Sequence, residues 1–158
     1  MSDEFPMTVV GKEALDKELE QLVKVEREQV KVEIAEARAH GDLKENAEYH
    51  AAKEKQSHLE GRIMELQNKV ARARVIDPAT IDSDRIVFGA TVKMTDVEKD
   101  TSTTYQIVGE EEAQSDKGKI SYKSPLGKSL IGKESGDTTI VRAPKGDIEY
   151  EIESVEYI

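Results

Sequence analysis

Between Glu36 and Glu54 the chain reads EARAHGDLKENAEYHAAKE, and this stretch decides how the N-terminal half folds. It is helical in character on both sides of Gly41, a residue suited to the left-handed position that ends a helix. A connection this short sets two helices antiparallel. Upstream and downstream, from Lys12 to about Val75, the chain is rich in Glu, Lys, Ala, Leu and Gln and contains no Pro. The return arm spaces Glu45, Tyr49, Ala52, Gln56, Leu59, Ile63, Leu66, Val70 and Ala73 by alternating fours and threes. That is the seam of a left-handed coiled coil. The outgoing arm places Leu15, Leu19 and Leu22 on one frame, then Val23, Val30, Ile34 and Ala37 on another, which predicts a register slip near Glu26. Each arm has roughly 30 residues and so reaches about 45 Å at 1.5 Å per residue.

Asp42 and Glu45 sit at the corner, three residues apart, and admit two readings. As a capping box, Asp42 accepts from the backbone three residues on while Glu45 reaches back. As paired hard oxygen donors, they hold part of the shell of a divalent cation such as Mg²⁺. A free-standing site needs more ligands than these, and the nearest further acid is Glu48, so the second reading implies a half-site that a partner completes. Arg38, Lys44, Lys53 and Lys55 form a small basic patch around the acids, suited either to ion pairs with neighbouring Glu residues or to a phosphodiester strand. Tyr49 fits packing in the thin end of the seam or stacking on a base.

At VIDPATIDSD, Val75 to Asp84, the helical period stops, and Pro78 with its Asp and Ser neighbours marks a linker. Beyond it the period is two. IVFGATVKM, TTYQIVG, GKISYKS, DTTIVRA and DIEYEIESVEYI are rich in Val, Ile, Thr and Tyr and are separated by turn signals such as SDKG and APKGD. The apolar stretch Leu126–Ile131 predicts one or two helical turns. The expected organisation is α+β: an antiparallel coiled-coil hairpin over 1–76 with its acidic tip at 41–46, a linker over 77–85, and a small antiparallel sheet domain with one short helix over 86–158.

Composition narrows the function. The 158 residues carry a net charge of −10, with 17 acidic and 13 basic residues up to Pro78. Such a balance lacks the basic footprint of a general nucleic-acid binder and favours a protein partner with local contact to nucleic acid. No cysteine is present, which excludes disulfides and thiolate chemistry. His40, His50 and His58 lack metal-ligand spacing and read as solvated helix positions. No apolar run approaches 18 residues, so a soluble, cytoplasmic protein with no membrane contact is expected.

The residues ARAHGDLKENAEYHAAKE with EGRI at 60–63, the segment SPLGKSLIGKESGD at 124–137 and the strand around Ile86–Val92 together resemble the bacterial transcript cleavage factors of the GreA/GreB family. The resemblance covers essentially the whole chain, in order. It implies an FKBP-like C-terminal domain that docks on RNA polymerase, and a coiled coil that enters the polymerase secondary channel. It further implies that Asp42 and Glu45 help bind a Mg²⁺ shared with the polymerase active site, where the polymerase cleaves its own backtracked RNA. The factor is then an accessory protein and not itself an enzyme, a monomer whose partners are RNA polymerase and the nascent RNA 3′ end. The family's RNA-contacting basic positions fall on Arg38 and Lys53, with Lys44 beside them. Lys53 keeps the charge but not the bidentate fork of an arginine. Ser124, Pro125, Leu126 and Gly127 are the candidate polymerase contacts. The small basic surface resembles the less basic branch of the family, which removes short RNA fragments. Two rival readings are a channel-binding inhibitor, which a cleavage assay separates, and a peptidyl-prolyl isomerase. The second is disfavoured because Phe88 and a few Tyr are a meagre supply for a proline pocket, and because fold does not carry function.

Overall fold

The computed structural model describes residues 4–41 and 46–158. They form two compact units: one is helical, over 12–73, and the other combines 4–11 with 74–158.

In the helical unit the outgoing arm runs through α1 (Val9–Gln21), a single wide turn (Leu22–Glu26) and α2 (Arg27–Ala39), and the return arm is α3 (Ala47–Ala71). The wide turn is a π-helical one, in which the Arg27 N–H reaches back five residues to the Leu22 carbonyl. A π-turn inserts one extra residue into the helix without breaking it. It accounts for the slip expected near Glu26, since Leu15 before it and Val30, Ile34 and Ala37 after it are all buried. Opposite them α3 buries Ala52, Ile63 and Leu66. Val30, Ile34 and Ala52 form a cluster against which Tyr49 and Leu59 pack.

Ion pairs lace the arms at the flanks of this seam. The Arg27 guanidinium donates twice to Glu60, Nε to Oε1 and Nη2 to Oε2, both at 2.8 Å. Lys55 donates to Glu33 at 3.1 Å, and Arg62 Nη2 to Glu18 at 3.1 Å. Arg27–Glu60 joins the middles of the arms, Glu33–Lys55 lies nearer the tip and Glu18–Arg62 nearer the base, as antiparallel helices require. Glu60 holds the Arg27 pKa above its ordinary value. Arg62 and then Lys69, by hydrogen bonding, keep Glu65 below the usual carboxylate range.

The second unit contains a two-stranded ribbon of β1 (Phe5–Thr8) and β2 (Ala73–Ile76), and a five-stranded sheet. That sheet comprises β3 (Thr91–Asp96), β4 (Thr101–Val108), β5 (Lys119–Ser121), β6 (Thr138–Ala143) and β7 (Gly146–Glu156), in the order β5-β4-β3-β7-β6. All five expected strands are present, as is the short helix, α4 (Pro125–Leu130). Neighbouring strands are antiparallel except β4 and β5, which run parallel. The sheet is therefore mixed, because the chain crosses over between those strands through two short 3₁₀ turns, Glu110–Glu112 and Ser115–Lys117, where a tight hairpin would have reversed it. Between Lys93 and Met94 the register against β7 shifts by one residue, leaving Glu153 as the extra residue of a bulge. Its carboxylate is held by the Thr95 hydroxyl and lies 3.6 Å from Lys93 Nζ.

The core of this unit is Ile86, Ala90, Val92, Met94, Ile107, Leu130 and Ile152, each no more than 1% exposed. The segment around Pro78 packs here too: Pro78 is buried, and it lies with Ile81 against Gly89. Residues 4–8 are bound to the same unit by Glu112, whose carboxylate accepts from the Thr8 amide at 3.0 Å and from the Thr8 hydroxyl. No described helix is long and apolar enough to cross a membrane.

Candidate functional site

The described end of the hairpin is built from three backbone events. At the close of α2 the His40 N–H returns to the Ala37 carbonyl at 3.2 Å, and the Gly41 N–H to the Arg38 carbonyl at 3.3 Å. Gly41 then takes φ +110°, a conformation that only glycine adopts without strain. Asp42, Lys44 and Glu45 lie outside the described residues. The chain is described again from Asn46, which is extended (φ −82°, ψ 93°) and forms the N-cap of α3.

Asn46 has two partners. Its Oδ1 accepts from the Tyr49 amide at 3.0 Å, satisfying one of the helix's unpaired first-turn donors. Its Nδ2 donates to the Ala37 carbonyl at the end of α2. One side chain thus caps the return helix and ties it to the outgoing one. Sequence reasoning missed this because Asp42 and Asn46 are both good capping residues.

Around this junction the candidate contacts are partly assembled. Arg38 is exposed on the last turn of α2 with its Cζ 5.6 Å from the centre of the Tyr49 ring. The Arg38 guanidinium, by hydrogen bonding to the phenol oxygen, lowers the Tyr49 pKa, with Lys53 adding a smaller electrostatic push. Tyr49 also meets His50 edge-on, at 5.7 Å between ring centres. Lys53 is exposed one turn further on and donates to Gln56 Oε1 at 3.2 Å. On the other flank His40 Nε2 lies 3.6 Å from Glu48 Oε2, beside a shallow cleft of about 350 Å³ between the arms. His40, His50 and His58 are all exposed, and no group of three or more His, Asp or Glu able to hold a metal occurs among the described residues.

In the sheet unit, the four candidate docking residues open α4, and the geometry of the turn accounts for most of them. The Ser124 hydroxyl accepts from the Gly127 amide at 3.1 Å and donates to the Ser121 carbonyl at 2.6 Å. Gly127 is buried, and a Cβ there would lie 2.2 Å from the Ser121 oxygen. Leu126 packs on the core. Only Pro125 of the four is exposed. Near the ends of α4 an apolar groove of about 450 Å³ runs between Ile76, Ile81, Val87, Phe88, Tyr122 and Ile131. Phe88 and Tyr122 meet edge-to-face at 5.7 Å across it. The sequence did not reveal this groove, because β2 and the segment after it contribute to its wall.

Two family models divide the chain along these lines. "Transcription elongation factor, N-terminal" matches residues 5–75, and "Transcription elongation factor, GreA/GreB, C-term" matches residues 81–157. The chain belongs to the GreA/GreB family of transcription elongation factors. Among relatives named transcription elongation factor GreA, one from Anaeromyxobacter sp. (strain K) is 56% identical over 153 residues, covering 97% of this chain and 92% of the relative. One from Thermodesulfovibrio yellowstonii is 52% identical over 157 residues, covering 99% of each. Among solved structures, the GreA factor homolog 1 (Gfh1) protein of Thermus thermophilus is 26% identical with a TM-score of 0.45, covering 97% of this chain and 99% of that one.

Proposed function

We propose that this GreA/GreB family member binds bacterial RNA polymerase and passes its helical hairpin into the secondary channel. There it stimulates the polymerase's own endonucleolytic cleavage of backtracked nascent RNA, so that arrested complexes resume elongation. The observation that carries this reading is the cap of α3. Asn46 fills that position with its own side chain, so the first turn of the return helix does not depend on Asp42 or Glu45 for its cap. In this reading the two acids that the family motif places at the tip serve the chemistry and not the cap.

Their donor chemistry fits Mg²⁺, which takes hard oxygen ligands and retains water when few carboxylates are offered. Asp42 and Glu45 would supply two carboxylates, and the polymerase the rest. When bound, the ion supplies Lewis-acid activation of water opposite the leaving oxygen of the scissile phosphodiester. This chain's remaining work is positional. Arg38 and Lys53 present charge to the phosphodiester strand, with Lys44 between them in sequence, while phosphate contacts of this kind orient a strand without reading its sequence. The sheet unit anchors the protein on the polymerase through the surface around Pro125. The factor acts as a monomer in the cytoplasm.

The test compares wild type with the double variant Asp42→Asn, Glu45→Gln in a backtracked polymerase complex. The expected result is loss of stimulated RNA cleavage with polymerase binding and thermal melting unchanged. Persistence of cleavage in the double variant would overturn the metal role. A wild type that slows elongation and never stimulates cleavage would make the protein a channel-binding inhibitor.

A further inference from the structure

Among the described residues Arg38 is placed differently from Arg27 and Arg62. Arg27 and Arg62 are engaged by carboxylates across the seam, whereas Arg38 is set against an aromatic ring on the other arm. Tyr49 is itself held on three sides. Its ring packs on the Val30–Ile34–Ala52 cluster, its amide is capped by Asn46, and His50 closes on its edge. Asn46 in turn fixes α3 to the end of α2 through the Ala37 carbonyl, one residue before Arg38.

We propose that Tyr49 is a positioning residue: fixed by Asn46 and the seam, it holds the Arg38 guanidinium in place for contact with a phosphodiester. This rests on the reading that the hairpin tip works on RNA, and deepens it by naming what aims the arginine. The physical logic is preorganisation. An exposed arginine loses rotamer freedom when it grips a phosphate, and a side chain already held in place loses less. A carboxylate partner, such as Glu60 for Arg27, neutralises the charge it holds and competes with a phosphate. A neutral phenol and a ring face keep the guanidinium in place with its charge intact. Arg38 also lowers the pKa of the phenol, as a guanidinium held beside it does.

The test uses the full-length protein and the variants Tyr49→Phe, Arg38→Gln and the pair together. In the free protein, ultraviolet titration of wild type against Tyr49→Phe isolates the ionisation of Tyr49. Arg38→Gln is expected to return it toward the ordinary tyrosine range. In the backtracked polymerase complex, Tyr49→Phe is expected to lower the maximal cleavage rate about threefold to tenfold, the worth of one hydrogen bond. The factor concentration giving half-maximal cleavage should not move. In the Arg38→Gln background the Tyr49→Phe change should have no further effect, a coupling that a merely structural tyrosine would not show. Independent, multiplicative losses in the pair, or a titration indifferent to Arg38, overturn the proposal. If wild type stimulates no cleavage, the functional reading fails and this role falls with it. The titration still reports separately whether Arg38 is bound to Tyr49.

Discussion

Asn46→Ala is the perturbation that separates what holds the hairpin together from what the hairpin does. The substitution deletes an N-cap bond to Tyr49 and a cross-arm bond to Ala37. Loss of an Asn cap costs about 1 kcal/mol, and loss of a neutral side chain–carbonyl hydrogen bond about another 1 kcal/mol. The sum, about 2 kcal/mol, corresponds to a fall of about 8–16 °C in melting temperature for a unit of this size. Asn46→Asp keeps the capping oxygen and removes only the donor. Its new charge gains at the start of α3 about what it loses beside the carbonyls that end α2, so it should cost about 1 kcal/mol, half the effect. The assay is thermal and urea unfolding followed by circular dichroism at 222 nm, where the helical unit dominates the signal. Asp42→Asn with Glu45→Gln serves as comparison and should melt within about 0.5 kcal/mol of wild type. The reasoning is refuted if Asn46→Ala melts with wild type. It is refuted equally if Asp42→Ala destabilises as much as Asn46→Ala, since the acids would then be the cap.

Four further outcomes follow from other residues. Leu66 is fully buried, so Leu66→Ala should cost about 2–5 kcal/mol in urea unfolding, while Met64→Ala, at a position 69% exposed, should stay within about 0.5 kcal/mol of wild type. Gly127→Ala drives a Cβ into the Ser121 carbonyl and should destabilise the sheet unit by about 1–3 kcal/mol, read from tyrosine fluorescence. Pro125→Ala should leave that melt unchanged and weaken polymerase binding. Alkaline titration should find Tyr49 ionising early and Tyr150 late, the latter raised by burial first and by Asp96 and Tyr105 next. For Tyr49 the unfolded chain holds its proton to higher pH than the folded one. Stability therefore rises with pH between the folded pKa and 10, and Arg38→Gln reduces that rise. Tyr150 has the opposite sign: the folded state holds the proton longer, so stability falls as pH climbs past 10.

Much of the architecture was legible because it rests on periodicity. The fours and threes of the return arm fixed the buried line Ala52–Ile63–Leu66, and the broken frame of the outgoing arm located the π-turn at Leu22–Glu26 within a residue or two. Val, Ile, Thr and Tyr at alternate positions marked all five strands of the main sheet, and the apolar stretch Leu126–Ile131 marked α4. What escaped was non-local. Phe5–Thr8 is four residues long and finds its partner strand only beyond the hairpin, so no local pattern marks it. The parallel pairing of β4 with β5 depends on a crossover that sequence spacing does not distinguish from a loose hairpin. At the candidate site Arg38 and Tyr49 were each legible as residue types, but their pairing joins positions on opposite arms. The residue that fixes them, Asn46, was hidden among stronger-looking acids.

The bond between Thr8 and Glu112 spans 104 positions and so places the two units on different clocks during synthesis. Ribosomes add about 5–20 residues per second, so roughly 5–20 s separate the emergence of Thr8 from that of its partner. Every residue of the helical hairpin is delivered within that interval. The first strand to leave the ribosome must therefore wait, unpaired, while a complete helical unit is made behind it, and it joins the sheet unit late.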